Sequence, residues 1–218
     1  MTHLEEVLSS LNKEVQSMAL LVLKQLKKTK EALLNFDKTL AQDVLHGEKR
    51  VNAFELKIDM LCENIVALYN PVAKDMRMVF AFFKINSHLE RMGDYAKNIS
   101  KDVANLEKPY DSVLLESLEI ERMFDIADEM ISQNIAAMTI NDTEAARSIF
   151  DMDLKLNAMN FNGNKLIAEY MKDHNEQIPD LLNLSSTLRR LERVGDYNTN
   201  IAEELIFYFD AMVLKHKK

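Results

Sequence analysis

Turn-forming residues are scarce: the 218-residue chain holds four Gly and three Pro, and it has no Trp. A sandwich or barrel needs a turn about every eight to twelve residues, so an all-β fold is excluded and an all-α one expected. No stretch reaches the ~18 apolar residues of a membrane span. The start, Met1-Thr2-His3-Leu4-Glu5-Glu6, lacks the basic opening and apolar run of a signal peptide. A single cysteine, Cys62, rules out an intrachain disulfide and fits a reducing compartment or a plain core thiol. Basic charge is in deficit, with 27 Lys and Arg against 35 Asp and Glu for a net charge of −8. The summed field repels a polyanion, which disfavours nucleic acid as a partner. A soluble, cytoplasmic protein is expected.

What the chain does have is apolar content, 47% of residues, with 28% charged, enough to bury a real core. Prolines at Asn70-Pro71, Lys108-Pro109 and Ile178-Pro179 mark helix breaks, and Asp37, Asp111 and Asn141-Asp142 are suitable N-caps. These marks predict six long helices over 4–36, 38–69, 71–106, 112–139, 142–173 and 178–213. Positions 40, 44, 47, 51, 54, 58, 61, 65 and 68 carry Leu, Val, Gly, Val, Phe, Ile, Leu, Ile and Leu at alternating four- and three-residue steps, the seam of a bundle. The same seam recurs 105 residues later, from Ala145 to Tyr170. Leu89-Glu90-Arg91-Met92-Gly93-Asp94-Tyr95 recurs as Leu191-Glu192-Arg193-Val194-Gly195-Asp196-Tyr197, and Asn98-Ile99 as Asn200-Ile201. The chain therefore divides into two three-helix repeats, 1–107 and 111–218, packed side by side.

Glu90 and Asp94 lie one helical turn apart, on a face that continues back through Phe83, Val79, Met76 and Val72. Glu192 and Asp196 likewise follow Leu188, Leu181 and Ile178. Carboxylates on a core-facing stripe need a partner, either a cation or a salt bridge. If helices two and three turn near residue 70, facing residues have numbers summing to about 140. That brings the helix-two stripe Glu48, Asn52, Glu55 and Asp59 towards the first pair. In the second half, Asp153, Asn157, Asn160 and Asn164 approach Glu192 and Asp196. Oxygen ligands converging from two helices suit hard cations such as magnesium, calcium, manganese or iron. Arg91, Lys97 and Arg193 stand close enough to neutralise the same acids as ordinary salt bridges.

No Gly-rich phosphate loop, Cys pair or nucleophile beside a base appears in a known motif. None of the five His residues follows a Glu by three, as in ferritin-like di-iron sites. His46 and His88 read as surface or interhelix contacts, and the 13 Met as core packing. A non-catalytic protein is expected. The alternatives are a carboxylate-metal protein, including a redox enzyme, and a plain helical scaffold.

At these residues the chain resembles the PhoU family of phosphate-signalling regulators, whose members are tandem three-helix repeats with an acidic ExxxD motif in each half. Glu90-Arg-Met-Gly-Asp94 and Glu192-Arg-Val-Gly-Asp196 match it, and Asn70-Pro71-Val-Ala-Lys-Asp75-Met-Arg77 is similar to the family's Pro-x-Ala-x-Asp-Leu-Arg. The resemblance implies a cytoplasmic adaptor between a phosphate ABC transporter ATPase and a sensor histidine kinase, acting as a negative regulator of phosphate-starvation genes. It also implies self-association, expected here as a homodimer. In some members iron or zinc clusters bind at the acidic motifs, which points to Glu48, Glu55, Glu90 and Asp94 in the first half and Asp153, Glu192 and Asp196 in the second. The chain departs from the family's Asp-x-x-x-Asp-x-x-Glu on helix two. It reads Glu48, Asn52, Glu55 and Asp153, Asn157, Asn160, and each Asn removes a charge that would offset a metal ion.

Overall fold

A capping box opens the chain. Thr2 Oγ1 accepts from the Glu5 amide at 3.3 Å while the Glu5 carboxylate accepts from the Thr2 amide at 2.8 Å, which sets the start of α1 (His3–Leu34). The computed structural model describes residues 2–140 and 143–213, and every regular element among them is helical. After α1 come α2 (Lys38–Tyr69), α3 (Lys74–Asn105), α4 (Ser112–Ser117), α5 (Ile120–Ile140), α6 (Thr143–Asp173) and α7 (Ile178–Asp210), with one 3-10 turn at Asn175–Gln177. The caps at Asp37 and Asp111 form as expected, accepting from the amides of Leu40 and Val113 at 2.9 and 2.8 Å. The cap expected at Asn141-Asp142 lies outside the described residues.

Three expectations are corrected. The helix expected over 112–139 is two, because Glu119 takes a left-handed φ of 50° and no Gly or Pro announces the break. The kink turns α4 so that Leu114, Leu115 and Leu118 are buried. Helix three starts at Lys74 rather than residue 71, since Asn70 and Ala73 both adopt φ of 47° and hold Pro71 in the connection. The last helix closes at Asp210, with Ala211 left-handed behind it.

α2, α3, α7 and α6 lie side by side in one layer, and α1 and α5 pack behind it, α1 on α2 and α3, α5 on α6 and α7. The core between the layers is formed by residues such as Leu11, Met18, Ile58, Phe82, Phe124, Leu188 and Leu191, all at most 1% exposed. Each such side chain stabilises by about 1.5–3 kcal/mol. The seam of α2 is buried at Val44, Val51, Ile58 and Ile65, and runs out into solvent at Leu68. Cys62 is a buried core thiol, and desolvation pushes its pKa up to about 12.

Across the two halves α3 runs antiparallel to α7. Lys84 Nζ donates to Glu204 at 3.0 and 3.1 Å, Arg190 pairs with Asp102, and the Tyr95 and Tyr197 rings lie 6.0 Å apart. α1 runs antiparallel to α5: Lys30 is held by Asp125 at 2.7 Å and Glu121 at 3.1 Å, while Lys27, earlier on α1, acts on Asp128, later on α5. Tyr95 and Tyr197 are the same residue of the repeated motif. The halves are thus related by a pseudo-two-fold passing between these rings, normal to the four-helix layer.

Candidate functional site

The hairpin register expected from the turn near residue 70 holds. Asn86 on α3, fully buried, donates its Nδ2 to the Glu55 carbonyl and to Asp59 Oδ1, both at 2.9 Å, and the Cys62 thiol faces the Val79 carbonyl at 3.8 Å. Gly93 permits the close approach behind the acids, since a Cβ there would sit 3.2 Å from Val51 Cγ1 on α2. Glu90 and Asp94 therefore meet α2 at the level of Glu55 and Glu48.

In this first cluster Lys97 stands between two helices. Its Nζ donates to Asp94 Oδ1 at 3.1 Å and is bonded to Glu48 Oε1. The bond to Glu48 is the largest cause raising the Lys97 pKa, reinforced by Asp94. Arg91 Nε lies 3.6 Å from Glu90 Oε2. The Glu90 carboxyl is nonetheless pushed up, by partial burial first and then by Asp94 and Glu55. Glu55 is raised by burial and by Asp59, with Arg91 opposing. Like charges collected from two helices raise one another in this way.

In the second cluster Arg193 on α7 takes the cation's place, with Nη1 2.7 Å from Asp196 Oδ2 and Nε 3.8 Å from Glu192 Oε2. Burial, then Asp196, raise the Glu192 pKa, and Asp153 across on α6 adds to it. Asn157 donates to Asp153 Oδ2 at 3.0 Å. A Cβ on Gly195 would lie 2.8 Å from Leu156 Cδ1 and 3.0 Å from Asp153 Oδ1, so only glycine lets Asp153 come this near α7. Asn160 and Asn164 bond one another at 2.7 Å, and Asn164 also accepts from Ser185.

All seven carboxylates expected from sequence thus fall into two clusters, one per half. Their setting matches expectation in part: Val79, Leu181 and Leu188 of the expected stripes are buried, whereas Val72 and Phe83 are exposed and Ile178 is at the solvent boundary, so the acids of α3 and α7 sit where the stripe passes from core to solvent. The donors are hard oxygens, but among the described residues no three Asp, Glu, His or Cys side chains are disposed around one point as a metal ion requires. The acids here are paired with Lys97, Arg91 and Arg193. His46 is exposed and bonded to the Gln42 carbonyl at 2.8 Å, while His88 packs on the Tyr197 ring. Sequence reasoning left two features aside: the Asn86–Asp59 tie, and the matched exposed apolar residues Leu56 with Phe161 and Phe80 with Leu182. Repeat offsets of 105 and 102 were the signal for the latter.

A family model described as the PhoU domain matches the chain twice, over residues 15–103 and 120–205. A phosphate-specific transport system accessory protein PhoU homolog of Zymomonas mobilis is 32% identical over 179 residues, 82% of this chain and 75% of its own length. The crystal structure of PhoU from Pseudomonas aeruginosa superposes with a TM-score of 0.88 at 28% identity, covering 95% of this chain and 99% of that one. That of the phosphate transport system regulatory protein PhoU from Streptococcus pneumoniae gives 0.87 at 27% identity, over 97% and 99%. With both repeats matched and the acidic motif present in each, the chain belongs to the PhoU family.

Proposed function

We propose that this protein regulates phosphate uptake and the phosphate-starvation response by contact, as an adaptor between a phosphate ABC transporter ATPase and a sensor histidine kinase, and that it holds the starvation genes off when phosphate is plentiful. The observation that carries the reading is the double family match along a chain whose relatives are named as accessory and regulatory proteins of phosphate transport. The site supports it chemically. Its acids are engaged by Lys97 and Arg193 on rigid helices, an arrangement suited to presenting a fixed charge pattern to another protein. No helix among the described residues is long and apolar enough to cross a membrane, which fits a cytoplasmic partner of membrane-bound machinery. The broad helical layers offer the faces a homodimer would use.

Deleting the gene tests the reading. Starvation-gene expression should rise in phosphate-replete medium, and the protein should be recovered with the transporter ATPase or the kinase in pull-downs. An unchanged response and unchanged phosphate uptake would reduce the protein to a helical scaffold.

A further inference from the structure

Large apolar side chains are exposed at equivalent places in the two repeats. Leu56 on α2 is 67% exposed and Phe161, 105 residues on, is 62% exposed; Phe80 on α3 is 52% exposed and Leu182, 102 residues on, is 55% exposed. Leu56 follows Asn52 by one turn and Phe161 follows Asn157 by one turn, beside the acidic stripes. Phe80 and Leu182 stand on α3 and α7, about three turns before the paired acids. The pseudo-two-fold between Tyr95 and Tyr197 is normal to the four-helix layer, so it carries the outer side of α2–α3 onto the outer side of α7–α6. One face consequently shows the same patch twice, each an apolar pair beside an acidic cluster. Seven clustered carboxylates outnumber Arg91, Lys97, Arg189, Arg193 and Lys165 there, so the face is acidic, although the Lys165 ammonium lies 4.1 Å over the Phe161 ring.

We propose that this face docks a two-fold symmetric protein dimer whose surface is basic around apolar recesses, one chain of this protein spanning both subunits. The inference rests on the adaptor reading above and deepens it. A duplicated patch on a two-fold finds equal partners only on a surface with its own two-fold. Exposed aromatic and aliphatic anchors beside complementary charge are the composition of a contact surface, with charge setting the encounter rate and the apolar groups the lifetime.

The probe is the ATPase subunit of the organism's own phosphate transporter, held as a dimer by ATP in a hydrolysis-deficient form. Titration calorimetry and sedimentation should give one chain per ATPase dimer. Phe80→Asp and Leu182→Asp should each weaken binding about tenfold, their effects multiplying in the double variant, with Tm nearly unchanged because both positions are exposed. One chain per ATPase subunit, or weakening confined to one half, overturns the two-fold match. Loss of self-association instead of ATPase binding in these variants assigns the face to a second copy and overturns the proposed occupant. If the unsubstituted chain binds no ATPase while gene deletion still derepresses the starvation genes, this occupant is wrong and the regulatory reading stands. If deletion has no effect either, both fail.

Discussion

The Gln25 side chain occupies the space that a Cβ on Gly47 would need: its Nε2 lies 2.9 Å from that position. Gln25 is 4% exposed, and neither of its side-chain polar atoms has a hydrogen-bond partner. The corresponding place in the second half, 105 residues on, is Met130, fully buried, and the residue corresponding to Gly47 is Met152. A buried amide without partners costs about 1–3 kcal/mol. Gln25→Met should therefore raise stability by about 1–2 kcal/mol in urea unfolding. Gly47→Ala should destabilise the parent chain and be tolerated once Gln25 is Ala, a coupling that a double-mutant cycle measures.

Lys84 is the ammonium that faces the buried Glu204 carboxylate across the α3–α7 seam. Lys84 is itself 44% exposed, so water screens the pair, and Lys84→Met should lower stability by only about 1 kcal/mol. Lys28→Met, whose partner Asp43 is exposed, should change it by less than about 0.5 kcal/mol.

Asp128 on α5 is raised to about 7, by burial first, with Lys27 opposing and Asp125 adding to it; its Oδ1 is buried without a hydrogen bond. A carboxyl whose folded pKa exceeds its unfolded value favours folding when protonated, so this contribution is full below about pH 4 and is lost as pH rises towards 7. Asp128→Asn should be more stable than the parent at pH 8, by about 1–2 kcal/mol once solvent screening is allowed for, and the gain should shrink as pH falls to 4. A constant difference across that range would mean that Asp128 does not titrate there.

Lys97 stands where a cation would sit between Glu48 and Asp94. Replacing it with Gln frees two carboxylates, and affinity for a hard cation rises with ligand charge. Lys97→Gln should bind Mn²⁺ more tightly than the parent, seen as a larger Tm increase with added metal, and Asp94→Asn should abolish the gain. We further expect any iron, zinc, manganese, magnesium or calcium bound by the parent to prefer the first half, where four carboxylates gather against three in the second. Metal content that survives Glu90→Ala with Asp94→Ala but not Glu192→Ala with Asp196→Ala would contradict this.

Sequence alone determined the helical class, the internal repeat and both acidic pairs, because these depend on periodicities that a helix converts directly into faces. The 4-3 spacing from Leu40 to Ile65 could serve only a packed helix, and Glu90 with Asp94 could only share a side of α3. Tertiary structure decided what those faces meet. A heptad-like pattern does not say where a bundle ends, so Val72 and Phe83 were indistinguishable from core residues until packing left them in solvent. The break at Glu119 carries no Gly or Pro, since burial of Leu114, Leu115 and Leu118 offsets the strain of one left-handed residue. Arg91, Lys97 and Arg193 were legible as neighbours of the acids, but not which carboxylate each one meets. Lys97 reaches Glu48 from 49 positions away in the chain, and that distance is set by how closely α2 and α3 approach at Gly93, a property of two surfaces in contact rather than of either sequence.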